Sequence, residues 1–254
     1  MVNLKSQEEI KKIAIAGRIL AKILKTLTKE AKIGTRLSQL NALAYQLTKK
    51  YKARPAFLGY QPTGASKPFG ASICASVNEV VVHGFPSDYK LQSGDVLKID
   101  FGVEYQGFFA DAALTIGIGK ISKEAKHLIK TTELALKRAI KQAKPGKTLG
   151  DIGWIIQKTA EDNGLKVIKC LTGHGVGKEL HEEPTIYNYG EKGKGIVLRP
   201  GMVLAIEPML AISTEKIIQK SDESWATADG SLSAHFEHTV AITEKGAKIL
   251  TIDH

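Results

Sequence analysis

The chain has 254 residues, of which 43% are hydrophobic and 24% charged, proportions that are ordinary for a globular protein able to bury a core. No apolar run approaches the roughly 20 residues that span a bilayer, and no N-terminal segment has the pattern of a secretory signal. The two cysteines, Cys74 and Cys170, form no paired motif, which favours a reducing compartment. We therefore expect a cytoplasmic protein without a membrane segment.

The net charge of +10 is concentrated at one end of the chain. Residues 1–54 contain 13 of the 36 Lys and Arg residues but only three acidic residues, whereas the remainder is balanced. One interpretation is a solvated Lys-rich helical face that aids solubility. The other is an electrostatic contact between a polyanion and the lysines from Lys5 to Lys52.

Helical patterns occur in two pairs along the chain. Ser6 and Glu9 have the spacing of a capping box, and the apolar residues that follow recur every three or four positions until Gly34. Pro55 follows the first pair, and Pro145 ends the first helix of the second pair. The predicted helices cover about 7–33, 37–50, 122–142 and 149–163.

Alternation typical of strands follows each pair of helices. A glycine-containing turn at 104–107 joins the first two strands, so that Asp100 and Asp111 lie on paired antiparallel strands. A long polar loop around 221–231 joins the last two. The predicted strands are 96–103, 108–116, 203–212 and 235–243.

The two halves of the chain repeat one pattern. Residues 94–100, Gly-Asp-Val-Leu-Lys-Ile-Asp, match residues 201–207, Gly-Met-Val-Leu-Ala-Ile-Glu. The connectors between the paired helices also match. Such a repeat fixes the architecture. We predict one α+β catalytic domain of two pseudo-symmetric halves, about 1–120 and 121–254, with a central antiparallel sheet covered by helices.

Four carboxylates and one histidine stand in apolar surroundings on or beside these strands. The repeat matches Asp100 to Glu207, and Asp111 and Glu237 both lie on the returning strands. Buried carboxylates repel one another unless cations lie between them, and oxygen ligands suit divalent metals. His174, between two glycines, could supply a nitrogen ligand. Each residue alone is more often a solvated or structural one, but together they indicate a metal site.

Taken in order, these motifs resemble those of the type I methionine aminopeptidases, over nearly the whole chain. The resemblance implies the pita-bread fold and removal of an N-terminal methionine when the next residue is small. The matching residues are Asp100, Asp111, 76–86 around His83, Gly-His-Gly-Val-Gly at 173–177, His-Glu-Glu-Pro at 181–184, 201–209 and 231–239.

The resemblance also implies a dinuclear metal centre. Asp111 and Glu237 would each bridge two divalent ions, Asp100 would complete one ion, and His174 and Glu207 would complete the other. The ions would activate a water molecule as the nucleophile. One imidazole and four carboxylates suit Mn, Fe(II) or Co, with Zn or Ni as further possibilities.

Further roles around the metals come from the same resemblance. Glu207 would move a proton from the water towards the leaving amine, and His181 would hydrogen-bond the scissile carbonyl as negative charge develops. His83 would contact the substrate beside the leaving nitrogen. The loop at 61–71 is longer than the family pattern predicts. The expected residues of the methionine pocket are Tyr60, Cys74, His83 and Trp225, with Phe57, Phe69 and Leu180 as further candidates.

Two other functions stay open at this point. A prolidase-like or creatinase-like hydrolase shares the metal ligands but carries a substantial N-terminal domain. An RNA-binding relative of the same fold loses metal ligands, whereas every ligand position is filled here. The expected partners are a peptide or nascent protein as substrate and, through the basic N-terminal region, ribosomal RNA. We expect a monomer and no contact with a membrane.

Overall fold

The computed structural model of the protein describes residues 2–61 and 64–253. Its helices confirm the periodic pattern, and the capping box is present: the Ser6 hydroxyl accepts a hydrogen bond from the Glu9 N–H, and the Glu9 carboxylate accepts one from the Ser6 N–H. The helices are α1 Gln7–Glu30, α2 Leu37–Lys50, α3 Lys123–Gln142 and α4 Leu149–Glu161.

The strands of the first half are β1 Arg54–Pro55, β2 Cys74–Val77, β3 Val80–Val82, β4 Val96–Tyr105 and β5 Phe108–Gly117. The predicted first hairpin is confirmed, because β4 and β5 pair antiparallel along their whole length. The other edge of β4 pairs with β1 and β2. The apolar stripe of α1 packs on this hairpin and buries Ile13, Leu20 and Leu27.

The strands of the second half are β6 Lys166–Val167, β7 Thr172–Gly175, β8 Glu182–Tyr187, β9 Val203–Ile206, β10 Met209–Ala211, β11 Ile217–Gln219, β12 Trp225–Thr227, β13 Ser233–His235, β14 His238–Thr243 and β15 Gly246–Ile249. The prediction of continuous strands at 203–212 and 235–243 is wrong. The first divides at Glu207 and Pro208, and the second at Phe236 and Glu237. Proline has no N–H to donate to a ladder, so β9 ends beside it.

The sheets of the second half follow from these breaks. A five-stranded sheet has the order β15-β14-β9-β7-β8, and a three-stranded sheet has the order β13-β10-β6. The polar loop predicted at 221–231 is wrong in part, because it contains β12, which pairs with β11 and with β3 of the first half. Helices packed on antiparallel sheets confirm the predicted α+β class. In the described part of the chain, no helix is both long and apolar enough to cross a bilayer.

Two threonine hydroxyls join the halves of the molecule. The Thr115 hydroxyl donates to the carbonyl of His235 at 2.6 Å and accepts from its N–H at 2.9 Å. The Thr239 hydroxyl likewise donates to the carbonyl of Asp111 at 2.8 Å and accepts from the Asp111 N–H at 2.9 Å. The Glu237 N–H also donates to the carbonyl of Ala113 at 2.8 Å. These contacts hold β5 against the segment of β13 and β14, so both halves contribute to one centre.

The basic N-terminal region differs from its prediction at one residue. Lys5 is buried, and its ammonium forms an ion pair with Glu182, so it belongs to no exposed basic face. The other lysines of this region are exposed: Lys11, Lys12, Lys22, Lys25, Lys29, Lys32, Lys49, Lys50 and Lys52.

Candidate metal centre

Two of the predicted metal ligands come from the first hairpin. Asp100 lies on β4 and Asp111 on β5, and Ala113 is the residue directly opposite Asp100. Residues two apart on a strand share one face of the sheet. Asp111 therefore projects from the same face as Asp100.

The other three ligands come from the five-stranded sheet. His174 lies on β7, opposite Ala205 of the neighbouring β9. Glu207 follows the end of β9, and Glu237 immediately precedes β14, which pairs with the other edge of β9. The breaks in the second-half strands therefore fall at the two ligands.

The structure brings all five residues together in one cluster. The ligand atoms of Asp100, Asp111 and Glu237 lie within 4.8 Å of one another, and so do those of His174, Glu207 and Glu237. The His174 Nε2 is 3.5 Å from the Glu207 carboxylate and 4.0 Å from each of the Asp111 and Glu237 carboxylates. Glu237 belongs to both groups.

The tautomer of His174 follows from its other nitrogen. Nδ1 lies 2.9 Å from the carbonyl oxygen of Gly175, which can only accept. Nδ1 therefore carries the proton in the neutral ring, and Nε2 presents its lone pair to the carboxylates. A backbone carbonyl that orients the far side of an imidazole in this way is typical of metal-ligating histidines.

Burial makes the charges of this cluster costly in the protein alone. It raises the pKa of Asp111 to about 7. Burial, together with the negative charges of neighbouring ligands, raises the pKa values of Asp100, Glu207 and Glu237 well above their ordinary range. Burial also lowers the pKa of His174 to about 4. A bound cation would reverse these penalties, because it favours charged carboxylates and a neutral imidazole.

Three buried oxygens of the cluster support the same conclusion. Asp100 Oδ1, Asp111 Oδ1 and Glu237 Oε1 accept no hydrogen bond from any described residue. Buried polar atoms in native proteins normally have a partner, and a metal ion would be one. Oxygen donors with one imidazole form a ligand set for a divalent ion of intermediate hardness, so the residues fit the predicted metal centre.

His83 and His181 line the cleft that contains the cluster. The rings of His181 and His174 meet edge to face with centroids 4.3 Å apart, and the His181 Nδ1 is 2.7 Å from the Tyr60 hydroxyl. His83 follows β3 in a left-handed conformation, with φ of 59°. Both rings reach solvent through the cleft but are enclosed by its walls. This enclosure lowers the pKa of His83, and that of His181 to about 3 with a contribution from His174.

The cluster opens into a cleft of about 1650 Å³, which is large enough for several peptide residues. Cys74 lies opposite Asp100 on the neighbouring strand β2, so an apolar wall begins one strand away from the carboxylates. Trp225 lies on a separate wall, opposite Val82 of β3. The predicted pocket residues that pack together around Cys74 are Phe57, Leu180, Tyr60 and Phe69.

Part of the loop predicted at 61–71 lies outside the described residues, at positions 62 and 63. Its last turn returns to the pocket, because the Phe69 N–H donates to the Tyr60 carbonyl at 2.8 Å and the Gly59 N–H donates to the Phe69 carbonyl at 2.9 Å. Ser66 hydrogen-bonds Glu223 of the second half. The loop therefore adds Phe69 to the apolar wall.

Two residues that contact Glu207 were not predicted from the sequence. The His235 ring is buried, and its Nε2 lies 3.3 Å from the Glu207 carboxylate. The Asn188 side chain is also buried and donates to the Glu207 carbonyl at 3.0 Å. The spacing of His235 and Glu237, two residues apart, could have revealed the first. Asn188 has no comparable signal in the sequence.

Comparison with known protein families matches residues 11–244 to Metallopeptidase family M24. The chain belongs to family M24. The methionine aminopeptidase of Aquifex aeolicus (strain VF5) is 46% identical over 257 residues, which cover 98% of this chain and 98% of that protein. The crystal structure of methionine aminopeptidase from Thermotoga maritima is similar to this chain with a TM-score of 0.95 at 43% identity, and covers 100% of both chains.

A prolidase structure provides a more distant comparison within M24. The prolidase from Pyrococcus horikoshii OT3 is 28% identical, with a TM-score of 0.77, and the match covers 99% of this chain but 64% of the prolidase. The predicted pita-bread fold is confirmed by these M24 structures. As an M24 metallopeptidase, the chain uses divalent metal and acts on peptide substrates.

Proposed function

We propose that this M24 peptidase is a methionyl aminopeptidase that removes the initiator methionine from a nascent polypeptide when the next residue is small. One observation carries the proposal: the five-residue ligand cluster and an apolar, sulfur-containing pocket line the same cleft. A thioether side chain gains dispersion and sulfur–aromatic contacts in such a pocket. The methionine aminopeptidases to which the chain is similar support this substrate.

We propose a centre of two divalent ions. Two groups of ligand atoms share Glu237, which supports a bridging role for that carboxylate, and Asp111 faces both groups. Asp100 would complete one ion, and His174 and Glu207 the other. When bound, the ions supply Lewis acidity and lower the pKa of the attacking water. The ligand set supports Mn, Fe(II) or Co, with Zn or Ni as alternatives.

The roles of the remaining site residues are part of this proposal. Glu207 moves a proton towards the leaving amine, held by Asn188 through its backbone. When the Tyr60 hydroxyl donates to Nδ1 of His181, the Nε2 carries the ring proton and donates to the scissile carbonyl. His83, which lines the same cleft, contacts the substrate beside its leaving nitrogen. Tyr60, Cys74 and Trp225 line the methionine pocket.

Peptide turnover tests the activity and its alternatives. Metal-loaded protein should cleave Met-Gly-Met and peptides beginning Met-Ala, and should spare those beginning Met-Lys or Met-Trp. Chelator should stop turnover, and separate reloading with each candidate metal should rank them. Equal cleavage of all these peptides would indicate a general aminopeptidase, and cleavage of Xaa-Pro dipeptides alone would indicate a prolidase. A metal-free sample that cleaves at the full rate would contradict the proposal.

We also propose that the enzyme acts as a cytoplasmic monomer with a single catalytic domain. Residues from both halves of one chain supply the ligand cluster, which supports a site complete within the monomer. The basic face, defined by the nine exposed lysines named above on α1, α2 and the turns that follow them, would hold the enzyme at ribosomal RNA, where its substrate emerges. Phosphate contacts release counterions, so binding should weaken steeply with salt.

Ribosome co-sedimentation tests this contact. A variant with Lys11, Lys12, Lys22 and Lys25 changed to Glu should lose binding at low salt and keep its peptide turnover. The matched control makes the same charge change on the exposed face of α3, at Lys123, Lys126, Lys130 and Lys141. Equal loss in both variants would indicate only a net-charge effect. Sedimentation like that of the wild type would leave the basic helices as a solvated face.

A further inference from the structure

The segment that precedes α1 crosses to the second half of the molecule. The Lys5 N–H donates to the carbonyl of Gly201 at 2.7 Å, and Val2 packs against the core of the second half. Asn3 lines the same cleft as the ligand cluster. The segment at residues 2–5 is therefore part of the surroundings of the site, although its sequence predicts only a basic surface.

The side chain of Lys5 is enclosed by the loop that connects β7 to β8. Lys5 is 8% exposed, and its ammonium donates to the Glu182 carboxylate and, at 2.9 Å, to the carbonyl of Asn3. A Cβ at Gly177 would lie 2.4 Å from Lys5 Cε, so any larger residue there would displace the end of the lysine side chain. The loop therefore packs closely against the Lys5 side chain.

Glu182 uses its second oxygen to fold the same loop. Glu182 Oε1 accepts the N–H of Lys178 at 2.7 Å and that of Glu179 at 3.2 Å. At the start of the loop, the carbonyl of Gly177 accepts the N–H of Phe109 from β5 at 2.8 Å. One carboxylate thus joins the N-terminal lysine to two backbone amides of the segment 177–182. His181 is the neighbour of Glu182 in that segment.

We infer that Lys5 is a positioning residue for His181, acting through the Glu182 carboxylate; this rests on the role of His181 under the proposed function. Removing one partner of a buried ion pair leaves the other charge buried and unpaired. Without the ammonium, the Glu182 carboxylate turns towards water and releases the amides of Lys178 and Glu179. The His181 ring then loses its fixed place beside Tyr60, and small displacements of a catalytic group cost up to about 10²-fold in rate.

A double-mutant cycle separates this role from simple stabilisation of the fold. Lys5→Met should lower kcat about tenfold with little change in KM, since His181 is proposed to act mainly in the transition state. In a His181→Ala background, Lys5→Met should cause no further loss, because its effect passes through the missing ring. Lys137→Met, which removes an exposed ion pair with Glu133 on α3, is the matched control and should leave kcat unchanged.

The outcomes of the cycle are distinct. If Lys5→Met lowers kcat equally in both backgrounds, the inference is overturned while the proposed role of His181 stands. If His181→Ala alone leaves kcat unchanged, the proposed role of His181 fails first. All assays are run on metal-loaded protein, at a temperature where circular dichroism shows each variant to be folded.

A second variant and a measurement without turnover cover the case in which Lys5→Met does not fold. Glu182→Gln keeps the shape of the side chain but loses its charge, and should repeat the kcat effect and its dependence on His181. Hydrogen exchange of metal-loaded protein should show faster uptake in the peptide that covers 177–182, with the peptide of the β4–β5 hairpin unchanged. Unchanged uptake in 177–182 for both variants would overturn the inference.

Discussion

The first half of the chain holds its two carboxylates within an unbroken hairpin, whereas the second half holds its two where strands break. Strands β4 and β5 pair in one register from Val96 to Tyr105. Their counterparts in the second half are four short strands in two sheets, divided at Glu207 and Glu237. The same repeat therefore supplies ligands from two different backbone arrangements.

The strand registers show how the halves differ. Gly102 lies opposite Asp111 in the first half, and the matched residue Met209 lies opposite His235 in the second. By this register His235 occupies the place of Asp111, and Glu237 occupies the place of Ala113. The second carboxylate of the second half has moved by two positions. A pseudo-symmetric fold thus carries an asymmetric ligand set, and the strand breaks allow it.

The largest effect is expected when one carboxylate that faces both groups of ligands is removed from each half in turn. Asp111→Asn and Glu237→Gln should each abolish turnover and reduce bound metal, because each residue faces both groups of ligands. Peptide assays and metal analysis measure the result. Asp162→Asn, which changes an exposed carboxylate beyond α4, should keep full activity. If only one of the two ligand substitutions is severe, the halves do not share the metals equally.

The next effect concerns a group that only the second half supplies. His181→Ala should lower kcat by about 10²–10³ with a smaller change in KM, because a donor to the developing negative charge is lost. Steady-state kinetics on a Met-Ala peptide provide the measurement. A KM effect alone would instead assign His181 to ground-state binding.

Substitution of either threonine at the junction of the halves should lower stability by a similar amount. Thr115→Val and Thr239→Val each remove a hydroxyl that satisfies a buried backbone N–H and carbonyl. Each should lower the free energy of unfolding by about 1–3 kcal/mol, measured by urea denaturation. Thr26→Val, on the partly exposed side of α1, is the control and should cost within about 0.5 kcal/mol. Unequal costs at the two junction sites would show that one half depends more on the contact.

The smallest expected effect is a change in how the stability of the metal-free protein depends on pH. Carboxyl groups with raised pKa values keep protons in the folded state that the unfolded chain has lost, so for Asp111 the contribution to stability falls as pH rises from about 4 to about 7. Lys98, whose pKa burial lowers to about 7, acts in the opposite direction as pH rises above 7. The quantity to compare between wild type and Asp111→Asn is therefore the slope of the free energy of unfolding against pH. The variant should lose stability less steeply, by up to about 1.4 kcal/mol per pH unit. Identical slopes would contradict the raised pKa.

Much of the fold could be predicted because its signals are local. The caps and apolar periodicity of α1 to α4, and the alternation and turn of the β4–β5 hairpin, lie within a few residues of one another. The ligand cluster could be predicted as a set because a repeat and a family resemblance mark its members. The structure brings those five residues together as that prediction requires.

Other features depend on contacts between distant parts of the chain. The alternation of residues 203–212 does not reveal that the segments before and after Pro208 lie in different sheets. Lys5 has the sequence context of a surface lysine, and its partner Glu182 stands 177 positions away. Asn188 reaches Glu207 only through the folded sheet. Such partners are set by tertiary packing, which local patterns do not encode.

The threonine contacts across the halves have a consequence for the exchange of metal. Hydroxyls of Thr115 and Thr239 hold the backbone on either side of the ligands, and Asp111 and Glu237 are almost wholly buried behind them. Within the part of the chain that the structure describes, the cluster opens to solvent through the cleft, so we expect ions to enter and leave there. An occupant of that cleft would cover this opening, so a tightly bound product or peptide analogue should protect the enzyme from chelators. The rate at which metal is lost should then depend on how long a product or peptide analogue stays in the cleft.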